Sequence, residues 1–385
     1  MTRSLGAPEG TARDGSGRSP LKKVLVRGAD VLRGHRDGLA PAAGMVVLGI
    51  GVLTMPAWLP ATGFLTLTDG VLAGIYTLLG IGMVLLLGYT GQLALTVNAS
   101  YGIGAYATAI LTVDDRIDPW LAMLVGIVVN IVVALALAFP LFRLQGHFLA
   151  VATLGVALMG YTVFEAAPVT GGSNGINGIP TLSIGSFHFV SDMAWTYLVW
   201  VIALAALLAC RNLVTSHFGR AMLAVSGSEA AAESSGARPF WIKTLVFVVA
   251  AALSSVAGSL YASYAGFVSS SSFDLTLTLT LLVMVVVGGL RSLWALPFGV
   301  LGILALSAAL QTYGPSVIPA TGSDIPIVGY GVILILFLLV VPGGLASAGR
   351  WCAGQAGRLV ARVAATPATQ PAGGLYGTAS SESRP

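Results

Sequence analysis

Apolar runs of bilayer length recur along this chain, and no other feature restricts its fold as strongly. A hydrocarbon core about 30 Å thick is crossed by roughly 20 apolar residues at about 1.5 Å each. About ten such runs can be read, at 39–59, 69–88, 92–113, 120–141, 148–166, 194–211, 244–265, 275–290, 294–311 and 326–342. The third and fifth are the least regular. In lipid a backbone must satisfy its own N–H and C=O groups, so continuous runs of this length predict helices. Thr276–Thr280 alternates like a strand, but an isolated strand cannot satisfy its backbone there, so it reads as the start of the eighth helix. Only 9% of the 385 residues are charged, against about 25% in a soluble chain. The sequence therefore predicts an all-α integral membrane protein.

Lysine and arginine set the orientation. Threading ten spans from a cytosolic N-terminus leaves 18 of the 19 basic residues on the cytosolic side. Arg116 alone falls outside, beside Asp114, Asp115 and Asp118. This positive-inside bias predicts that both termini are cytosolic. Segment 1–38 has no apolar core and reads as a disordered, basic, lipid-facing arm rather than a signal peptide. The tail 349–385 is expected to be disordered as well. The basic residues flank spans, so the net charge of +4 calls for membrane lipid and no nucleic acid. Cys210 and Cys352 lie on or near the reducing side, where a disulfide is not expected.

Several function classes are excluded. The sequence contains no GxxxxGK[ST] phosphate loop, and its three lysines, Lys22, Lys23 and Lys243, follow no such glycine pattern. Its four histidines are scattered, and neither a metal site nor a catalytic triad can be assembled, so no enzyme activity and no cofactor is expected. Ionisable groups at membrane depth are costly and mark ion-coupled carriers. Here Asp69 and Asp274 sit at span starts, Asp274 as an expected helix cap, and Glu165 sits at a span end. No buried relay is legible, so the driving energy is expected to come from elsewhere.

The segment Ser216–Gly236 spends charge between two apolar spans. A polar helix there, carrying Glu229 and Glu233, suits a lever gripped by another subunit, or an ordinary amphipathic loop. Two spans also interrupt themselves. Gly88, Gly91, Gly102 and Gly104, with Gln92, Thr96, Asn98 and Ser100 between them, break the third. Gly258–Asp274 forms the second break, at the start of span eight. Such breaks serve either close helix packing or a translocation pathway. Matching positions in two inverted five-span halves favour the pathway. The outer loop 167–193, glycine-rich and free of basic residues, is either structured and functional or a simple connector.

Taken in order, these residues resemble the permease subunits of ATP-binding-cassette importers for branched-chain amino acids, of the LivM type. The likeness runs from about 69 to 348. It rests on Gly88–Gln92 (GYTGQ), Gly102–Tyr106 (GIGAY), Phe142–Gly155, Thr170–Pro180 (TGGSNGINGIP), Gly219–Arg220 and Glu229–Gly236 (EAAAESSG). Gly258–Ala262, Gly266–Ser269, Leu282–Leu290 with Ser292–Trp294, and Pro342–Leu345 complete the series. Departures stand at Ser226–Ser228, where the family has charge, at Ala94–Val97, Val84, Leu158 and Thr280, and at Arg291, where it has glycine.

The resemblance implies one transmembrane permease domain, 39–348, with a coupling loop at 212–243. In that loop Glu229, Ala231, Ala232, Glu233 and Gly236 would form the helix that contacts an ATPase. Gly91, Gln92, Thr96, Asn98, Gly102, Gly104, Tyr106 and Thr280 would line the pathway. Thr170, Gly171, Gly172, Asn174 and Gly175 would form the docking loop for a binding protein. Implied partners are a second permease subunit (a heterodimer), two cytosolic ABC ATPases and an extracytoplasmic substrate-binding protein. The implied cargo is a branched-chain or related amino acid. Urea or a short amide on the same machine, a stand-alone secondary carrier, and a scaffold that has lost transport are the alternatives.

Overall fold

A computed structural model describes residues 49, 51, 54, 55, 59, 63–144, 146–184 and 187–317. The arm 1–38, most of the run 39–59, the run 326–342, Pro342–Leu345 and the tail 349–385 lie outside the described residues. The chain divides into two compact units, Met1–Gly63 and Phe64–Pro385. In the first, the Leu59 amide bonds to the Met55 carbonyl at 3.0 Å, a single helical turn.

The described residues of the second unit are almost wholly helical. Its helices are α1 (Leu67–Met83), α2 (Val97–Val113), α3 (Pro119–Leu141), α4 (His147–Ala166), α5 (Asp192–Thr215), α6 (His217–Gly227), α7 (Glu229–Ser234), α8 (Pro239–Ala265), α9 (Leu275–Gly288) and α10 (Leu296–Val317). Two-residue strands β1 (Ile176–Asn177) and β4 (Phe267–Val268) pair antiparallel, as do β2 (Ser183–Ile184) and β3 (Phe187–His188). Among the described residues six helical stretches are long and apolar enough to cross a membrane: Leu67–Tyr89, Pro119–Leu141, Phe148–Ala166, Asp192–Thr215, Pro239–Ala265 and Ser270–Gly288. Leu296–Ala309 is a shorter apolar helix. The protein is an all-α, multi-pass membrane protein.

Local chemistry fixes the helix ends. Thr66 and Asp69 cap α1 reciprocally, each side chain accepting from the other's backbone N–H. Asp118 caps α3 ahead of Pro119, and Asp274 accepts from the Leu277 amide to start α9. Both Asp69 and Asp274 are thereby committed to caps. Gly266, in the left-handed region, ends α8. Caps also explain where helices outrun the apolar runs. Ser191 and Ser216 carry α5 beyond 194–211, and Pro239 starts α8 ahead of 244.

The core lies where α2, α8 and α1 pack together. Lipid gives apolar side chains no reason to leave it, so helices associate through small residues and hydrogen bonds. The place a Cβ on Gly104 would take is filled by the backbone of Ser255, and that on Gly258 by the backbone of Tyr101 and Ala105. The Ser259 hydroxyl donates to the Gly104 carbonyl at 3.2 Å. From α3 the Asn130 amide donates to Ala251 of α8 at 2.7 Å and to Ser100 of α2 at 3.3 Å, tying three helices together. On α1, Gly82 approaches Ala250, and the carbonyl of Gly70 accepts from the Trp200 indole of α5 at 3.0 Å. By contrast, α3 exposes Leu121, Leu124, Val128, Val132 and Leu135, an aliphatic stripe on the outside of the bundle.

Candidate functional site

Helix α2 begins half-way along its neighbours. Asn98, in its first turn, donates to the carbonyl of Ala157 (3.4 Å), near the middle of α4, and to that of Phe273 (3.1 Å), just before α9. The run expected at 92–113 thus becomes helical only from Val97. The cause lies upstream. Residues Val84–Tyr89 make a π-helical turn, after which the Thr90 and Gln92 amides bond back to Leu85 (3.2 Å) and Leu86 (2.9 Å). Gly91 then takes a left-handed φ of 68° and turns the chain away. The Gln92 side-chain amide donates to the Thr90 hydroxyl at 2.8 Å, and Thr153 of α4 holds the Leu93 carbonyl at 3.3 Å.

Gln92, Thr96, Asn98 and Tyr106 are all buried. Gln92 Oε1, Asn98 Oδ1 and the Tyr106 hydroxyl have no hydrogen-bond partner among the described residues. Thr96 stands at the N-cap of α2 without capping it through its side chain. Gly102 and Gly104 face protein directly, the first against the Phe164 ring and the second against α8. Thr280 is half-buried on α9, two residues beyond Thr278, whose buried hydroxyl also has no partner among the described residues.

Phe273 is the hub of this region. Fully buried, it lies 5.1 Å from Tyr101, 5.6 Å from Tyr106, 6.0 Å from Phe164 and 6.3 Å from Tyr261, centroid to centroid. The second sequence break therefore folds onto the start of α2. Sequence reading passes over Phe273, because nothing marks one phenylalanine among the chain's 14.

The glycine-rich loop joins the same assembly. The Thr170 hydroxyl donates to the carbonyls of Phe164 (2.7 Å) and Ala167 (2.8 Å), while Gly171, Gly172 and Gly175 take positive φ. Ile176 pairs with Val268 and Asn177 with Phe267, and the amides of Gly178 and Ile179 share the Gly266 carbonyl at 3.1 and 3.2 Å. Gly175 leaves no room for a Cβ against the Val268 carbonyl. Asn174 is exposed.

At the other end of α8 stand α6 and α7. Gly219, Met222 and Val225 bury one face of α6, and Arg220 is exposed. Ser228 leaves helical geometry and accepts from the Ala231 amide, so Ser216–Gly236 forms two helices rather than one. In α7 only Ala232 is buried, with Ala231 and Glu233 exposed. A Schellman motif ends it: the Gly236 amide bonds to Glu233 (2.9 Å) and that of Ala237 to Ala232 (3.0 Å), with Gly236 at φ 84°. Glu229 pairs with Lys243, whose side chain is 8% exposed. Ser226 lies against Gly91, where a Cβ would sit 3.2 Å from its hydroxyl. Lys243 stands one residue ahead of the apolar run 244–265, where it reads as a flanking cation, and sequence reading passes over its pairing with Glu229.

A family model described as the branched-chain amino acid transport system / permease component matches residues 67–341, a range that contains every helix from α1 to α10. The chain belongs to that family. As a permease it is a transport component rather than a catalyst. It is 27% identical over 295 residues to the high-affinity branched-chain amino acid transport system permease protein LivM of Salmonella typhimurium, covering 70% of this chain and 67% of that protein. It is 26% identical over 304 residues to the LivM protein of Escherichia coli K12, covering 73% of this chain and 69% of that protein. No solved structure matches the permease. Among the described residues no cluster of His, Cys, Asp or Glu could hold a metal ion.

Proposed function

We propose that this permease is one half of the transmembrane pathway of an ATP-binding-cassette importer for branched-chain or related amino acids. It pairs with a second permease subunit, is driven by two cytosolic ABC ATPases, and receives cargo from an extracytoplasmic substrate-binding protein. One domain, 39–348, supplies ten spans with the runs 39–59 and 326–342 included, and the segments before and after it are cytosolic. The observation that carries this reading is α7, a capped, exposed helix between two spans. Ala232 is its one buried side chain, and the helix ends at Gly236. A short helix of small residues suits a groove on another subunit, and α7 serves as the coupling helix.

The start of α2 serves as the pathway. Unpartnered oxygens on Gln92 and Asn98 are acceptors for a polar cargo, since a buried polar group without a partner calls for one. The loop around Thr170–Gly175, stitched to β4, serves as the docking surface for the binding protein. Relatives named for branched-chain amino acid transport support the cargo class.

Uptake of labelled leucine into vesicles holding the permease, its partner permease, ATPases and binding protein tests the proposal. ATP-dependent accumulation is expected. ATP turnover without leucine uptake would discard the cargo and keep the machine. Uptake by this chain alone, driven by an ion gradient, would replace it with a secondary carrier.

A further inference from the structure

Glu229 is the first residue of α7, and its carboxylate, on a side chain still 42% exposed, reaches Lys243 of α8. Lys243 is almost fully buried in the second turn of α8, and this is the one ion pair among the described residues. A buried ammonium is tolerated only with a compensating charge, so the pair fastens α7 to α8. The rest of α7 offers little else for this, because Ala232 is its only buried side chain.

α8 is a continuous helix of 27 residues. Some three turns beyond Lys243, Ser255 and Gly258 touch the backbone of α2, and Ser259 bonds to Gly104. The first turn of α2 in turn holds Phe273 through Asn98. One rigid element thus connects the pair to the start of α2.

We infer that Lys243 is a positioning residue that locks α7 to α8, making α8 the lever through which the coupling helix moves the start of α2. Glu229 is then the anchor held by Lys243, and the exposed Glu233 is the carboxylate left to face the ATPase. The inference rests on the coupling-helix reading of α7.

The test uses the full transporter in vesicles, measuring leucine uptake, ATP hydrolysis stimulated by loaded binding protein, and retention of the ATPases during purification. With the pair broken in Lys243→Met or Glu229→Gln, uptake is expected to fall about tenfold while hydrolysis stays within about twofold of the parent. The exchanged pair, Glu229→Lys with Lys243→Glu, is expected to restore uptake to within about threefold of the parent. Parental uptake by Lys243→Met would overturn the lock. So would joint loss of uptake, hydrolysis and ATPase retention, which would make the pair a docking contact. Should Lys243→Met fail to reach the membrane, Lys243→Arg and the exchanged pair decide: uptake by both upholds the lock, and loss in both with the protein in the membrane overturns it. Normal uptake by Gly236→Pro would remove the coupling-helix reading itself, a result that the Lys243 variants cannot produce.

Discussion

Gly104 and Gly258 set the distance between α2 and α8, and neither tolerates a side chain without moving backbone. Gly104→Leu is therefore expected to abolish the folded protein, read as loss of a monodisperse peak after detergent extraction. Gly155→Leu, at a position with open space around it, should leave that peak intact. Asn98 is equally demanding in its chemistry. Its amide donates to two carbonyls, and Asn98→Asp would set a carboxylate against both. Asn98→Ala should cost about 1–2 kcal/mol and Asn98→Asp more, checked by thermal unfolding in detergent. Spacing alone leaves packing and pathway both open for Gly104. Which atom a glycine faces depends on a helix more than a hundred residues away, and no local pattern records that. Asp274 is different, since a cap is a local event and the Ser-rich approach to it is readable in the sequence.

At the scale of elements, apolar runs are legible because lipid admits little besides helices. Their ends are less so. Leu93 and Leu95 read as helix, yet the bonds of Thr90 and Gln92 to the previous helix and the turn at Gly91 delay α2 to Val97. Ser228 likewise splits a stretch whose composition reads as one helix, because its hydroxyl competes for an amide that a continuous helix would leave to its backbone. For α7, Gly236→Pro should abolish transport while membrane insertion persists, since the left-handed φ there is closed to proline. Gly236→Ala should cost about 1–2 kcal/mol of local stability and reduce transport partially, measured as leucine uptake per inserted protein. The exposed aliphatic stripe of α3 makes its own demand. Val128→Asp, near mid-helix, should disfavour insertion by about 2.5–3.5 kcal/mol in a translocation assay, whereas Leu121→Lys at the helix end should be tolerated through snorkelling.

For the whole molecule, the distribution of lysine and arginine gives an orientation that impermeant thiol reagents can check. A cysteine at Asp115 is expected to label in intact cells, and one at Glu233 only after permeabilisation. Reversed labelling would invert the proposed topology. The arrangement of helices is much less readable than the apolar runs that form them. The β1–β4 pairing joins segments some ninety residues apart through two residues each, too short to leave a periodic trace. The Phe273 hub has no trace either, since its neighbours come from three separate stretches of chain. The seam between α2 and α8 has a consequence for biosynthesis. Helix α2 has 17 residues, and Asn98, Ser100, Thr108 and Thr112 make it a poor lodger in lipid on its own. Its seat in α8 is about 155 residues downstream, so the ribosome has made most of the chain before Gly104 can meet Ser259. A nascent chain stalled before α8 would hold α2 unsettled at the translocon, and quality-control proteases would find it there first.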